Sequence, residues 1–97
     1  MTLRIVPQAR RHLDSIAEYI RQCNPRAARH VRTDIRHTLK LLEQFPHMGH
    51  GGAEEGTREV VVPQRPYVIV HRVEPNGDVV VIGIYHGAQL RPGQTEL

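Results

Sequence analysis

The chain has little cysteine and no long hydrophobic run. Its single cysteine, Cys23, cannot form a disulfide within the chain, so the disulfide frameworks of small secreted domains are excluded. No apolar stretch approaches the roughly 20 residues of a membrane-spanning helix. The N-terminus also lacks the basic and then apolar layout of a signal peptide. These absences predict a soluble, cytoplasmic protein that does not associate with membranes.

Aromatic residues and cofactor motifs are also scarce. There is no tryptophan, one phenylalanine and three tyrosines, too few for a platform on which bases stack. The chain contains no GxSxG, P-loop or dinucleotide-binding motif, and its seven histidines do not show the spacing of a zinc motif. We therefore expect no metal, no cofactor and no direct sequence-specific reading of nucleic acid.

Lysine is nearly absent, and positive charge is concentrated in one half of the chain. Twelve of the thirteen basic residues are arginines. Residues 1–50 hold nine basic against four acidic residues, whereas residues 51–97 hold four against six. The arginine excess reflects either a preference for bidentate contacts with phosphate or carboxylate or the codon use of a GC-rich genome, and the second explanation is favoured.

The residues that are present predict two helices. Apolar residues at helical spacing indicate a helix over residues 8–22. Asn24-Pro25 then predicts a new helix start, because asparagine caps free N–H groups and proline suits the first helical position. Pro46 limits this second helix to residues 25–45. The short connection between the helices predicts an antiparallel hairpin.

Runs rich in valine and isoleucine predict the strands, and residues 47–56, which are rich in glycine, predict a mobile surface connection. The predicted strands cover residues 3–6, 57–62, 67–74 and 79–86. Together the elements predict one α+β domain over residues 1–97, with a short N-terminal strand and a helix hairpin packed on a small, mainly antiparallel sheet.

The last two strands are predicted to form a hairpin with Asn76-Gly77 as a two-residue turn. The predicted pairs are Val73–Val80, Arg72–Val81, Ile69–Ile84 and Tyr67–His86. One face then carries Tyr67, Ile69, His71, Val73, Val80, Ile82, Ile84 and His86. The other face carries Val68, Val70, Arg72, Val81 and Tyr85. Two helices can cover one face of a small sheet, so we expect the first face in the core and the second face to be open or to receive a partner.

A set of polar residues near the strands has two interpretations. The set is Arg58, Arg65, Arg72, Tyr85, His86 and Arg91. In a metal-independent ribonuclease, an arginine would neutralise the scissile phosphate and His86 or Tyr85 would protonate the leaving oxygen. Glu43 or Glu59 would accept the 2′-hydroxyl proton. Alternatively, Arg58 and Arg72 form exposed cross-strand pairs while Tyr85 and His86 close the end of the sheet. Spacing does not separate the two, and the structural interpretation is favoured.

The second helix carries a basic stripe roughly opposite its apolar stripe. Its members are Arg26, Arg29, Arg32, Arg36 and Lys40. The stripe is either a surface for nucleic acid or an acidic protein, or the solvated side of an amphipathic helix, and the second interpretation is favoured.

Several segments resemble the ParE/RelE superfamily of toxins, and its ParE branch in particular. They are Asn24-Pro25-Arg26-Ala27-Ala28, Phe45-Pro46-His47-Met48-Gly49, Thr57-Arg58-Glu59, Pro66-Tyr67-Val68-Ile69-Val70 and His86-Gly87-Ala88-Gln89-Leu90-Arg91-Pro92. The resemblance covers nearly the whole chain.

This resemblance implies a toxin of a type II toxin-antitoxin system, bound by a ParD-like antitoxin whose C-terminal segment lies on apolar and basic surface as a helix and an extended piece. Such a hetero-oligomer would contact operator DNA only through the antitoxin. The ParE branch implies poisoning of DNA gyrase without catalysis. The implied contact residues for target or antitoxin are Arg58, Arg65, Arg72, Tyr85, His86, Arg91, Arg29, Arg32, Arg36 and Lys40.

Two alternatives accompany this expectation. Tyr85-His86 resembles a histidine and tyrosine pair in ribosome-dependent mRNA endonucleases of the RelE branch, where the catalytic candidates would be His86, Tyr85, Arg72 and Arg58. Against this, the tail from Pro92 to Leu97 has no tyrosine or histidine. His50 stands where the family often has arginine. The second alternative is a weakly toxic binding module that modulates the antitoxin's repression.

Overall fold

The computed structural model describes residues 2–89 and 91–94, and its elements follow the predicted order. The helices are α1 (Pro7–Cys23) and α2 (Pro25–Gln44). The strands are β1 (Leu3–Ile5), β2 (His50–Gly51), β3 (Arg58–Val61), β4 (Tyr67–Val73) and β5 (Val79–His86). Neither of the helices among these residues has the length and hydropathy of a membrane-spanning helix.

Asn24 both ends α1 and starts α2. Its backbone N–H donates to the carbonyl of Ile20 at 2.6 Å, which closes the last turn of α1. Its side-chain Oδ1 accepts from the N–H of Ala27 at 3.1 Å, which caps the first turn of α2. Pro25 follows at the first helical position, where its missing N–H has no intrahelical role. A connection of one residue makes the chain fold back on itself.

The strands form one sheet in the order β1-β5-β4-β3-β2. β1 runs parallel to β5, and the other neighbours are antiparallel. This architecture confirms the predicted α+β fold. The strand β2 was not predicted, because its two residues are too few to show a pattern. It lies in the segment expected to be an irregular connection, and its residues pair with Glu59 and Arg58 of β3.

The predicted turn of the β4–β5 hairpin is wrong. The N–H of Gly77 donates to the carbonyl of Glu74 at 2.8 Å, and the N–H of Glu74 donates to the carbonyl of Asp78 at 2.8 Å. Pro75, Asn76 and Gly77 therefore form a three-residue loop, in which Gly77 has a φ of 92°. Asn-Gly suits this loop as well as a two-residue turn, because both need a residue with positive φ.

A β-bulge in β5 further corrects the predicted register. Tyr67 lies opposite His86 and Ile69 opposite Ile84, as predicted. Ile82 is an extra residue between the pairs Val70–Gly83 and His71–Val81. Beyond it, the pairs are Arg72–Val80 and Val73–Val79 instead of the predicted Arg72–Val81 and Val73–Val80.

The bulge also corrects the predicted faces. Val81 pairs with His71 and belongs to the core, whereas Val80 pairs with Arg72 on the opposite face. A strand with one extra residue changes the alternation of its side chains, so Val80 and Val81 exchange the faces predicted for them. The buried core cluster consists of Ala9, Val31, Ile35, Leu39, Leu42, Val60, Val62, Tyr67, Ile69, Val81 and Ile84. It joins both helices to the helix-facing side of the sheet.

Candidate functional site

Arg58 holds the loop that follows α2. Its Nη2 donates to the carbonyl of Gly49 at 3.0 Å and its Nε points to the carbonyl of Met48 at 3.4 Å. Arg58 pairs with His71 across β3 and β4, on the side of the sheet that faces the helices. Its guanidinium is therefore engaged by backbone oxygens of its own chain.

His71 anchors the same loop from β4 and is fully buried. Its Nε2 lies 2.8 Å from the carbonyl of Pro46, whereas its Nδ1 has no hydrogen-bond partner among the described residues. Burial lowers the pKa of His71 below its ordinary 6.5, and the nearby Arg58 and His47 act in the same direction, while the bond to Pro46 opposes them. The neutral ring, with its proton on Nε2, fits these contacts.

Arg65 lies in the turn between β3 and β4 and reaches α2. Its Nε is 2.8 Å from Oδ2 of Asp34, and both side chains remain partly exposed. This ion pair ties the β3–β4 turn to the helix hairpin. Asp34 had no assigned role in the sequence, because its partner is 31 residues away.

Arg72 is exposed on the sheet face turned away from the helices. Val80 lies between Arg72 of β4 and Arg4 of β1, each of which pairs with it. Arg4 is also exposed. Within residues 2–89 and 91–94, neither arginine has a carboxylate within 4 Å. The two arginines flank one valine, an arrangement that depends on β1 joining β5.

Tyr85 lies on the same face and bends towards the sheet edge. Its ring centroid is 4.8 Å from that of His12 in α1, with the planes inclined at 57°. The ring covers Gly83, where a Cβ atom would stand 2.7 Å from Cζ of Tyr85. The N–H of Ile84 donates to Nδ1 of His12 at 3.2 Å. Burial, with a contribution from Arg11, lowers the pKa of His12.

His86 follows Tyr85 but points to the other face. It meets the ring of Tyr67 edge-on at 5.8 Å, and its Nδ1 accepts from the N–H of Ala88 at 3.1 Å. The backbone N–H of His86 donates to Oε1 of Gln89 at 2.7 Å. Burial raises the pKa of Tyr67. These contacts connect the end of β5 with the start of β4 and with the segment that follows β5.

Arg91 is part of a C-terminal segment, residues 87–89 and 91–94, that returns to the sheet. Its Nε lies 2.9 Å from Oε1 of Glu59, and the two side chains are 16% and 4% exposed. Its Nη1 also faces the carbonyls of Gly87 and Gln89. Farther along, Gly93 packs so closely on the backbone of Ala53 and Glu54 that a Cβ atom would stand 2.6 Å away. Leu90, which belongs to a segment that resembles the ParE branch, and residues 95–97 of the C-terminal tail lie outside the described residues.

The structure does not bring the four nuclease candidates together. Arg58 and His86 lie on the helix-facing side of the sheet, whereas Arg72 and Tyr85 lie on the opposite side. Of the two candidate bases, Glu59 is paired with Arg91 and Glu43 lies on α2. Among the described residues there is also no group of three His, Cys, Asp or Glu that could hold a metal ion.

A groove with an apolar floor runs between the helix hairpin and β1. We call it the hairpin groove; its volume is about 370 Å³. The floor consists of Leu3, Ile5, Leu13, Ile35 and Leu39, and the rim of Arg10, Asp14, Arg32, Arg36, Lys40 and Glu43. Four of the six rim residues are cationic. A second cleft between α1 and α2, which Arg29 helps to line, shares Asp14 and Arg32 with it and extends it along the hairpin.

A sequence model of the family described as the ParE toxin of the type II toxin-antitoxin system parDE matches residues 3–91. The chain belongs to the ParE toxin family. This toxin is 34% identical over 85 residues to Y4kP of Sinorhizobium fredii (strain NBRC 101917 / NGR234), which is named as a candidate toxin; the match covers 88% of this chain and 86% of Y4kP.

A solved structure supports the same family. A chain of the chromosomal ParDE toxin-antitoxin system of P. aeruginosa superposes on the toxin with a TM-score of 0.76 and 25% identity. The match covers 89% of this chain and 95% of that chain. Membership of this toxin-antitoxin family implies that the toxin has an antitoxin as its partner.

Three residues with clear positions in the site region were missed in the sequence. Arg4, His12 and Gly83 carry no local signal, because their roles depend on neighbours across the sheet or on another element. Only the parallel pairing of β1 with β5 brings Arg4 beside Arg72. Gly83 inside a strand was the one available hint, since an interior glycine often marks a bulge or a close approach.

Proposed function

We propose that this toxin arrests growth in the cytoplasm by poisoning DNA gyrase, as a binding protein without catalysis, and that a ParD-like antitoxin neutralises it. The family membership supports this proposal most strongly. The positions of the nuclease candidates also favour it, because a general acid and the cations it serves must converge on one phosphate. Arg58 and His86 lie across the sheet from Arg72 and Tyr85.

The arginines differ in their availability for a target. Arg58 is held by loop carbonyls, Arg65 by Asp34 and Arg91 by Glu59. Arg72 is exposed and shares its face with Arg4. We therefore assign the contact with gyrase to the Arg4–Arg72 surface and give Arg58, Arg65 and Arg91 structural roles.

The hairpin groove suits the antitoxin. Its apolar floor and cationic rim match an amphipathic segment with acidic residues on one side. β1, at one end of the strand order, forms part of the floor. An extended piece of the antitoxin could add to β1 by backbone hydrogen bonds, because an edge strand offers unpaired N–H and C=O groups. In this arrangement the toxin meets operator DNA only through the antitoxin.

The test uses purified toxin, released from its co-expressed partner, in gyrase supercoiling and DNA cleavage assays and in a ribosome-programmed mRNA cleavage assay. We expect cleaved DNA to accumulate and mRNA to remain intact. Cut mRNA with unaffected gyrase would replace the proposal with the nuclease function. If the toxin were active in neither assay, the remaining alternative would be a weakly toxic binding module that modulates the antitoxin's repression.

A pair of matched variants tests the assigned surface. Arg4→Gln/Arg72→Gln removes two charges from the sheet face, and Arg11→Gln/Arg21→Gln removes two from the exposed side of α1. We expect the first variant to weaken gyrase inhibition at least tenfold and the second to leave it unchanged. Equal loss in both variants would mean that net charge, rather than this surface, governs the effect.

A further inference from the structure

The exposed side of α2 carries a row of cations that extends beyond the hairpin groove. We call it the α2 ridge; it consists of Arg26, Arg29, His30, Thr33, Arg36, His37 and Lys40, all of them exposed. At 100° per residue these positions lie opposite the buried stripe that includes Val31, Ile35 and Leu42. Arg36 and Lys40 form part of the rim of the groove and Arg29 lines its extension, whereas Arg26, His30, Thr33 and His37 line neither.

The charges of the ridge are not balanced within the described part of the chain. None of Arg26, Arg29, Arg36 and Lys40 has a carboxylate within 4 Å among residues 2–89 and 91–94. Asp34, the acidic residue in the middle of α2, is paired with Arg65. The cations thus remain available to an external anion.

The composition of the ridge separates two kinds of anionic partner. Protein interfaces depend on apolar and aromatic anchors at their centre, and the ridge has no aliphatic residue and no phenylalanine, tyrosine or tryptophan. A phosphate backbone needs only cations and hydrogen-bond donors, which the ridge supplies from arginine, lysine, threonine and histidine. The hairpin groove, with its apolar floor, differs from the ridge in this respect.

The shape of the ridge favours duplex DNA over RNA. From Arg26 to Lys40 the helix rises about 21 Å, which is the axial rise of about six base pairs of B-form DNA. A convex helix fits the major groove of B-form DNA, whereas the major groove of A-form RNA is too narrow. Single-stranded RNA is held largely by bases stacked on side-chain rings. The ridge offers two histidine rings and its guanidinium planes for stacking, but no phenylalanine, tyrosine or tryptophan.

We propose that the α2 ridge binds the phosphate backbone of duplex DNA directly and without sequence specificity. Contacts of this kind would hold the free toxin on DNA, where a topoisomerase works. The binding itself does not depend on gyrase being the target. It also differs from the indirect contact with operator DNA through the antitoxin, because it belongs to the toxin alone.

The test is fluorescence anisotropy of two labelled duplexes of unrelated sequence, titrated with antitoxin-free toxin at several salt concentrations. We expect equal affinity for both duplexes and a slope of log K against log salt of about −3 to −4, since about four phosphates are neutralised. Arg26→Gln/Arg29→Gln should weaken binding at low salt at least tenfold and reduce the slope by about 2. Glutamine is a good helix former, so the exposed helix should remain intact, and circular dichroism checks this.

The control is Arg11→Gln/Arg21→Gln, which makes the same change in net charge on α1 and should bind the duplex like the unaltered toxin. The proposal would be overturned if the ridge variant bound the duplex as tightly as the unaltered toxin, or if the control lost as much affinity as the ridge variant. Absence of duplex binding by the unaltered toxin would also overturn it. Tighter binding of polyglutamate than of DNA at equal charge would overturn it in favour of an acidic protein, and tighter binding of single-stranded RNA in favour of RNA. Because no gyrase is present, each of these outcomes is independent of the gyrase assay.

Discussion

The Nε atom of Arg91 lies 2.9 Å from Oε1 of Glu59, and this ion pair joins two residues 32 positions apart in the chain. Glu59 is 3% exposed in β3, so its charge is removed from water. The contact attaches the C-terminal segment to the sheet face that the helices do not cover. Arg91, which the sequence suggested as a contact for a partner, thus has a partner within its own chain.

We predict that Arg91→Met lowers the free energy of unfolding by roughly 3 kcal/mol, because it leaves a buried carboxylate without its cation. Arg91→Met/Glu59→Leu should recover most of this loss, since an apolar pair leaves no buried charge without a counter-ion. Urea denaturation measures both. The control is Arg65→Met, which breaks a partly exposed pair and should cost less than about 1 kcal/mol. A stable Arg91→Met protein would show that the ion pair does not hold the segment.

We predict that Gly83→Ala destabilises the toxin, although alanine is ordinarily better than glycine in a strand by roughly 0.5 to 1 kcal/mol. The new methyl group would meet the ring of Tyr85 and displace it from His12, at a cost of roughly 1 to 3 kcal/mol. In a Tyr85→Ala background the same substitution should become neutral or stabilising. A double-mutant cycle by thermal unfolding measures this coupling. Equal effects of Gly83→Ala in both backgrounds would refute the contact.

We predict that His71 makes the toxin less stable in mild acid. Its pKa in the folded protein is below the ordinary value of 6.5, so the unfolded chain binds the proton more readily. The free energy of unfolding therefore falls as the pH drops below about 6.5, by at most about 1.4 kcal/mol per pH unit for this one group. The physical cause is that protonation adds an N–H at Nδ1, which is buried and has no acceptor among the described residues.

The measurement is urea denaturation between about pH 5 and pH 8, a window in which most ordinary carboxylates stay ionised. His71→Gln should flatten the dependence, because glutamine keeps a donor for the carbonyl of Pro46 but does not titrate. The lowered pKa of His12 acts in the same direction and should account for part of the slope that remains. Identical slopes in the two proteins would exclude His71 as the source.

We predict that two leucines of α2 have different functions. Leu42 is fully buried, whereas Leu39 forms part of the floor of the hairpin groove. Leu42→Ala should cost roughly 3 to 5 kcal/mol of stability and Leu39→Ala roughly 2 kcal/mol. Only Leu39→Ala should also weaken the antitoxin complex, as measured by titration calorimetry with the co-expressed antitoxin at a temperature where both variants are folded. Unchanged antitoxin affinity would remove the groove from the proposed interface.

Local signals in the sequence account for the elements of the fold. Asn24-Pro25 marks the junction of the helices, and Pro46 marks the end of α2, because capping and proline effects act within one turn of chain. The valine-rich strands were predicted from runs of β-branched residues, which are also a local property of the chain. The α+β class follows from these elements, because two amphipathic helices provide enough apolar surface to cover one face of a small sheet.

The sheet register was predictable only in part. The pairs from Tyr67 to Ile69 agree with the structure, but the pairs beyond the bulge at Ile82 do not. A bulge leaves no clear mark in a run of valine and isoleucine. The two-residue β2 is too short to carry a pattern of its own.

Propensity, capping and helical periodicity are properties of neighbouring residues, so the order of the helices and of the longer strands and the basic face of α2 were predictable from the sequence. Which arginines are available to a partner, in contrast, depends on contacts that form only in the folded chain. Arg58, Arg65 and Arg91 have the same chemistry as Arg72, but they meet a loop carbonyl, Asp34 and Glu59 through contacts between residues far apart in the chain. Such pairings depend on sheet register and loop path, which short-range patterns do not encode.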